Sequence, residues 1–283
     1  MDLNKLKVVW ALAKIEFSNL VRSTKIIILA IFVIFIHVQI ITPLQELSTR
    51  MGASLSVLEP FAAIGNSGVV VLILPLFFVT MLADFPREGS SRYFYQVRCS
   101  KGTWIAGQIV YAVESAIALT LFVFLSSVLL SLHFTDCNPD YSYAVTGYAA
   151  SFPERAGEYV VQLIPENLYN QITLVTTVIH TAILLVSYFI MLALIIFIFS
   201  LLHKKIIGLL LDGFLIIAGT ITCAVRSAYM WIFPMAHAIT WLHYAEYQSK
   251  EIFPLPYSYI YFGVINLMLI IFAFVLRKRY SVV

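Results

Sequence analysis

The chain has 283 residues, 61% of them hydrophobic and 12% charged, with a mean hydropathy of +0.91 and a formal net charge of +3. A water-soluble domain carries about 25% charged residues. Half that charge cannot cover a solvated surface, which excludes a soluble globular protein and points to an all-α polytopic membrane protein.

The start, MDLNKLKVVW, mixes charge into apolar residues and has no small-residue cleavage site. No cleavable signal peptide is therefore expected, and the first span serves as an uncleaved anchor. Residues 3–22 read as an amphipathic helix. At 100° per residue Leu6, Val9, Ala13, Phe17 and Leu20 gather on one face, with Lys7, Lys14, Ser18 and Arg22 opposite. That pattern suits a helix lying in the membrane interface, or one packed on a soluble partner.

A first span is expected from Ile26 to about Thr42, ended by Pro43, followed by a small external loop at 44–60. The second runs from Phe61 to Leu82 and is expected to kink at Pro75. The segment Asp84–Trp104 is the longest polar loop on this side. It carries Arg87, Arg92, Arg98 and Lys101 around Tyr93, Phe94 and Tyr95, which suits a docking surface for a soluble partner. Ser90 and Ser91 could cap a short helix there, broken by Gly102.

The third span, Thr103 to about Leu132, contains Glu114. Residues 133–170 form the largest extramembrane segment, and their aromatic residues and prolines suggest an ordered cap. A fourth span over Ile172–Leu202 and a fifth from Ile206 to about Val225 are joined by the tight His203-Lys204-Lys205 turn. In 226–256, Pro234, His237 and His243 interrupt an aromatic stretch. A seventh span there would carry Arg277, Lys278 and Arg279 outside, so an external re-entrant helical hairpin is expected before the last span, Tyr257–Leu276.

These six transmembrane helices place Lys5, Lys7, Lys14, Arg22, Lys25, Arg87, Arg92, Arg98, Lys101, Lys204, Lys205, Arg277, Lys278 and Arg279 on one side. The other side holds only Arg50, Arg155, Arg226 and Lys250 of the 18 basic residues. The bias puts both termini in the cytoplasm. The outside gathers acids instead, including Asp136, Asp140, Glu154, Glu158 and Glu166.

No catalytic constellation is present. The chain has no G-x-x-x-x-G-K-[ST] phosphate loop, no H-E-x-x-H and no G-x-S-x-G. Its six histidines form no ligand set, and Cys99, Cys137 and Cys223 are too far apart for a metal knuckle. The protein is thus expected to be neither an enzyme nor a metal binder. Glu114 is either a polar element of a translocation pathway or a proton carrier, or it makes a structural hydrogen bond to a neighbouring helix. Asp212 lies about two turns beyond the lysine turn, where it is expected to snorkel or pair with Lys204 and Lys205.

Four stretches carry a family resemblance: LAKIEFSNLVRSTK before the first span, the loop DFPREGSSRYFYQVRCSKGTWIAGQIV, the very short HKK turn, and FPMAHAITWLHY before the last span. In this order they resemble the permease subunit of type-2 ABC exporters, whose fold is shared by the G-subfamily and polysaccharide exporters. The resemblance covers nearly the whole chain, 1–283, as a single permease domain, and rests on architecture rather than invariant residues. It implies a second permease, either another copy or a sister chain, and a separate cytoplasmic ATPase dimer that holds the ATP and Mg. Membrane lipid is then the remaining partner, with no nucleic acid. The coupling element would be a helix within Arg87–Val97, with Arg87, Glu88, Arg92, Tyr93, Phe94 and Arg98 as its contact residues and the 7–22 helix beside it. An ATP-driven exporter of an amphipathic substrate such as a peptide follows, in a bacterial plasma membrane. A carrier acting without an ATPase is the alternative. The large 133–170 insertion departs from the family pattern.

Overall fold

The computed structural model describes residues 3–87, 99–245 and 251–277. The protein is mostly helical, with a single pair of two-residue strands among the described residues. Five helices are long and apolar enough to cross a membrane, or six if one sharply bent pair counts as a span.

Helix α1 (Leu3–Val21) lays Val9, Leu12 and Ala13 onto a long helix met later in the chain and leaves Val8, Trp10 and Val21 exposed. Its buried face is therefore a helix–helix contact, narrower than the sequence stripe. Helix α2 (Ile26–Met51) does not stop at Pro43. Proline lacks the N–H for the carbonyl four residues back and crowds it. Residues His37–Ile41 answer this with a π turn, in which Thr42 donates both its N–H and its Oγ1 (3.0 Å) to the His37 carbonyl. The wider turn lets the helix run on to Gly52, whose left-handed φ of 61° caps it.

The second apolar segment is two helices, α3 (Glu59–Asn66) and α4 (Gly68–Met81), bent by 81°. The break lies at Ser67, whose backbone is extended, whereas α4 continues through the buried Pro75. Every residue of α3 is buried. Helix α5 (Lys101–Ser131) is capped by Ser100, which accepts from the Thr103 N–H. Between α5 and the next spanning helix the chain builds the expected ordered cap from α6 (Tyr143–Ser151), a 3-10 turn at Pro153–Arg155, α7 (Tyr159–Leu163) and α8 (Glu166–Tyr169). Strand β1 (Leu55–Ser56) pairs in parallel with β2 (Thr135–Asp136) beneath it.

Helix α9 (Leu174–Leu201) packs against α3, α5 and the two spanning helices that follow it in the chain, and is the most buried of the spanning helices. It turns at His203, itself left-handed at φ 58°, into α10 (Lys205–Ala224). The expected re-entrant hairpin takes another form. Residues 226–256 contain a 3-10 turn (Ala228–Ile232), α11 (Pro234–Ala238), a second 3-10 turn (Thr240–His243) and a bridge from Tyr244 to Glu251, before α12 (Leu255–Leu276). The prolines and buried polar residues favour single turns over half-helices, and no seventh span exists among the described residues. An Arg277 guanidinium nitrogen lies 3.0 Å from the position a Cβ on Gly102 would take, so α12 ends beside the start of α5, where α1 also packs. This is the basic end of the bundle, and the cap closes the other.

Lipid supplies no hydrophobic force between helices, so close approach must hold the bundle together. Gly107 of α5 admits Leu12 of α1: a Cβ there would sit 2.9 Å from the Leu12 Cβ. Gly65 of α3 lets Thr181 of α9 reach van der Waals contact in the same way. The cap is stapled by the buried Glu59. Its Oε1 accepts from the Ser142 N–H (2.7 Å), and its Oε2 from the Ser56 N–H (2.8 Å) and the Ser142 hydroxyl (3.0 Å). Replacing Glu59 by Ala strands two buried N–H groups, and about 2–6 kcal/mol of stability should be lost at about 1–3 kcal/mol for each. Denaturant unfolding of the detergent-purified protein reads this, and Glu59→Gln, which keeps an acceptor, should lose less.

Candidate functional site

At the basic end, both stems of the polar loop are fixed to the bundle. Lys25 Nζ pairs with Asp84 Oδ2 at 2.7 Å and reaches the Met81 carbonyl at 3.4 Å. The Lys25 bond holds the Asp84 carboxyl below its ordinary value, although Asp84 remains largely exposed. An exposed pair of this kind contributes about 0–1 kcal/mol, so it orients the stem more than it stabilises it. Arg87, the one proposed coupling residue within the described range, donates from Nη2 to the Asn19 carbonyl of α1 at 2.9 Å. Phe85 packs against Tyr111 and Phe197, and Trp104 also meets Phe197. Glu16, Lys25, Asp84, Arg87 and Tyr111 then share one small cleft. The remaining coupling candidates, Glu88, Arg92, Tyr93, Phe94 and Arg98, lie outside the described residues.

Glu114 is half-buried and lines an apolar groove between α1 and α5 with Trp10, Lys14, Phe17 and Leu121. No hydrogen bond joins it to a neighbouring helix among the described residues. It therefore stands apart from the interior of the bundle.

The cap end contains the largest cavity among those described, about 720 Å³. It opens over the break between α3 and α4. Asn66, Ser67, Gly68 and Val69 form one wall, Tyr159, Gln162 and Glu166 of the cap a second, and Thr220, Arg226 and Trp241 a third. A break in a membrane helix exposes backbone groups that lipid cannot satisfy. Here Trp241 supplies them. Its indole Nε1 donates to the Asn66 carbonyl at 3.0 Å and its backbone N–H to Asn66 Oδ1 at 3.2 Å. Asn66 Nδ2 returns to the Ala62 carbonyl, and Ser67 Oγ bonds the Tyr159 hydroxyl at 3.1 Å. Asn167 of α8 donates to the Trp241 carbonyl, so cap, break and turn form one polar network. The Arg226 guanidinium sits 5.5 Å from the centre of the Trp241 ring.

Asp212 differs from expectation. It does not reach Lys204 or Lys205 but faces the helix bundle, fully buried, with neither carboxylate oxygen hydrogen-bonded among the described residues. The Tyr188 hydroxyl of α9 is likewise buried without a partner. Sequence periodicity missed Asp212 because distance from the helix end was weighed above the face it occupies. Asn66 and Trp241 were missed as well. The available signal was Gly65-Asn66-Ser67-Gly68, a turn-forming run inside an apolar stretch.

No family model, no curated protein and no solved structure matches this chain.

Removing the acceptor that Trp241 uses should weaken the break. We expect Asn66→Leu to lower the unfolding free energy by about 1–3 kcal/mol in detergent. The control Thr80→Ala removes only an exposed hydroxyl bonded to its own helix and should change stability by less than about 0.5 kcal/mol.

Proposed function

We propose that the chain is the membrane permease subunit of an ATP-driven exporter resembling the type-2 ABC exporters, moving an amphipathic substrate such as a peptide. In this reading the six spans include the broken α3–α4 pair, α1 lies at the cytoplasmic interface, and both termini are cytoplasmic. A separate ATPase dimer binds ATP and Mg and docks on Arg87–Val97. A second permease, of this chain or a sister chain, completes the pathway. The cavity beneath the cap is the outward vestibule, and the excess of acids in the 133–170 segment suits a cationic substrate.

The mechanical connection at the basic end carries this reading. A docking loop is useful only if force on it reaches the spans. Arg87 ties the first stem of the loop to α1, α1 is seated on α5 through Gly107, and Lys25, at the start of α2, pairs with Asp84 of the same stem. A displacement of the loop would thus move three helices together. With no phosphate loop in the sequence, ATP-driven work on this reading comes from another chain.

Asp212 favours one alternative, a carrier driven by an ion gradient without an ATPase. An unpartnered acid inside a bundle is costly and commonly marks an ion pathway. The two readings separate cleanly. On the exporter reading, the protein co-purifies with an ATPase whose hydrolysis it stimulates in lipid, and replacing Arg92 and Tyr93 together by Ala detaches that ATPase while the permease remains folded. Asp212→Asn should then retain ATP-driven transport within about threefold. Transport in liposomes with no ATPase, abolished by Asp212→Asn, would establish the carrier instead.

A further inference from the structure

The chain's second polar centre lies under the turns at 228–243, away from the loop and outside the cavity. Two histidines, each nearly or fully buried, meet one buried serine there. His243 Nδ1 is 3.0 Å from the Ile239 carbonyl and 3.2 Å from the Thr240 carbonyl. Carbonyls only accept, so this nitrogen carries a proton and leaves Nε2 as the acceptor of a neutral ring. His237 is fixed the other way round. Its Nε2 is 2.9 Å from the Trp231 carbonyl and must donate, which leaves Nδ1 as the lone pair. Both lone pairs converge on Ser258 Oγ of α12, each at 2.8 Å.

A serine hydroxyl has one proton and can satisfy only one of them. With both rings neutral, the other contact sets a nitrogen lone pair against an oxygen lone pair at hydrogen-bonding distance. One added proton removes the conflict. The protonated ring donates to Ser258 Oγ, and the serine hydroxyl donates to the second ring. All five contacts are then hydrogen bonds. A second added proton would place two charges on either side of one oxygen.

The surroundings suit one cation. The Tyr261 ring stacks on His237 with centroids 3.9 Å apart, and Trp231 and Phe253 approach the same ring at 5.5 and 5.4 Å. Trp231 also lies 5.1 Å from His243. Aromatic faces favour a desolvated cation. We propose that His237, Ser258 and His243 form a binding site for a single proton, shared between the two rings through the serine hydroxyl.

Other groups act on this site from the elements packed around it. Burial pushes both rings below the ordinary histidine value, His243 to about 4, and the carbonyls that hold them act in the opposite direction. His180 on α9 and His237 add repulsion at His243. Among the described residues, the other titratable or charged groups on neighbouring elements are Arg226 and Tyr229 at the first turn, Tyr244 and Glu251 at the bridge, Tyr257, Tyr259 and Tyr261 on α12, Tyr188 on α9, Asp212 and Cys223 on α10, Glu166 and Tyr169 on α8, and Glu59 on α3. No carboxylate bonds either ring among the described residues. The convergence on Ser258 is what draws the first proton in, and repulsion across the same oxygen excludes the second. The charge would lie within the turn that carries Trp241, the residue that closes the helix break.

The test is nitrogen NMR of histidine-labelled protein in lipid nanodiscs between pH 8 and pH 4, with His237→Gln and His243→Gln used for assignment. The expected result is one imidazolium shared by the two rings, appearing between about pH 7 and pH 5 around the ordinary histidine value, with no second one before pH 4. Ser258→Ala should move that uptake down by at least one pH unit, and Ser258→Thr, which keeps the hydroxyl, should restore it. Two rings neutral throughout, two independent titrations, or an unchanged titration in Ser258→Ala would each overturn the proposal. So would displacement of the shared proton by micromolar zinc, which would make the convergent nitrogens a metal site.

Discussion

The break at Asn66–Ser67 sets the terms for the rest of the structure. A chain may bend by 81° inside an apolar bundle only if the backbone groups released at the bend find partners. Here they find Trp241 and the Asn66 side chain, and Ser67 is held by Tyr159. Trp241 belongs to the turns before the last helix, and Tyr159 to the cap between α5 and α9. Two segments separated by more than eighty residues are therefore required at the same point. Their meeting encloses the cavity, so the cavity is a consequence of satisfying the bend.

The opposite end obeys a different constraint. Polar groups there can reach water and need not be fully buried, and the contacts among the described residues include Lys25 with Asp84 and the partly buried bond from Arg87 to the Asn19 carbonyl. Their role is positional. Rigidity comes from the close seating of α1 on α5 at Gly107 and from the aromatic residues Phe85, Trp104, Tyr111 and Phe197 beneath the loop. A loop on stiff stems at one end and a cavity held by a polar network at the other are the parts that a transporter driven from one side would need.

Much of this was legible in the sequence, for a physical reason. Lipid demands long apolar helices, so hydropathy located the third, fourth, fifth and last spans to within a few residues of Lys101–Ser131, Leu174–Leu201, Lys205–Ala224 and Leu255–Leu276. The short His203 turn and the ordered cap could be read from length and composition. The failures share one cause. Pro43 and Pro75 were treated as decisive, yet a π turn carries the first helix past Pro43, and α4 absorbs Pro75 without a break. The true break has no proline and depends on Trp241, a partner 175 residues away, which local pattern cannot supply. Asp212 was misread for a similar reason: its environment is set by which helices surround α10. The loop residues Arg92 to Arg98 remain a sequence argument, because the described structure covers only the stems.

The central claim is that the cavity at the helix break faces the outside while the basic end faces the cytoplasm. Its most direct test is cysteine accessibility in cells, in a background lacking Cys99, Cys137 and Cys223. Val69 lines the cavity and is 44% exposed, and Lys204 marks the basic end. A membrane-impermeant maleimide should label Val69→Cys in intact cells and Lys204→Cys only after permeabilisation. Labelling in the reverse order, or a Val69→Cys that reacts from neither side, would contradict the account.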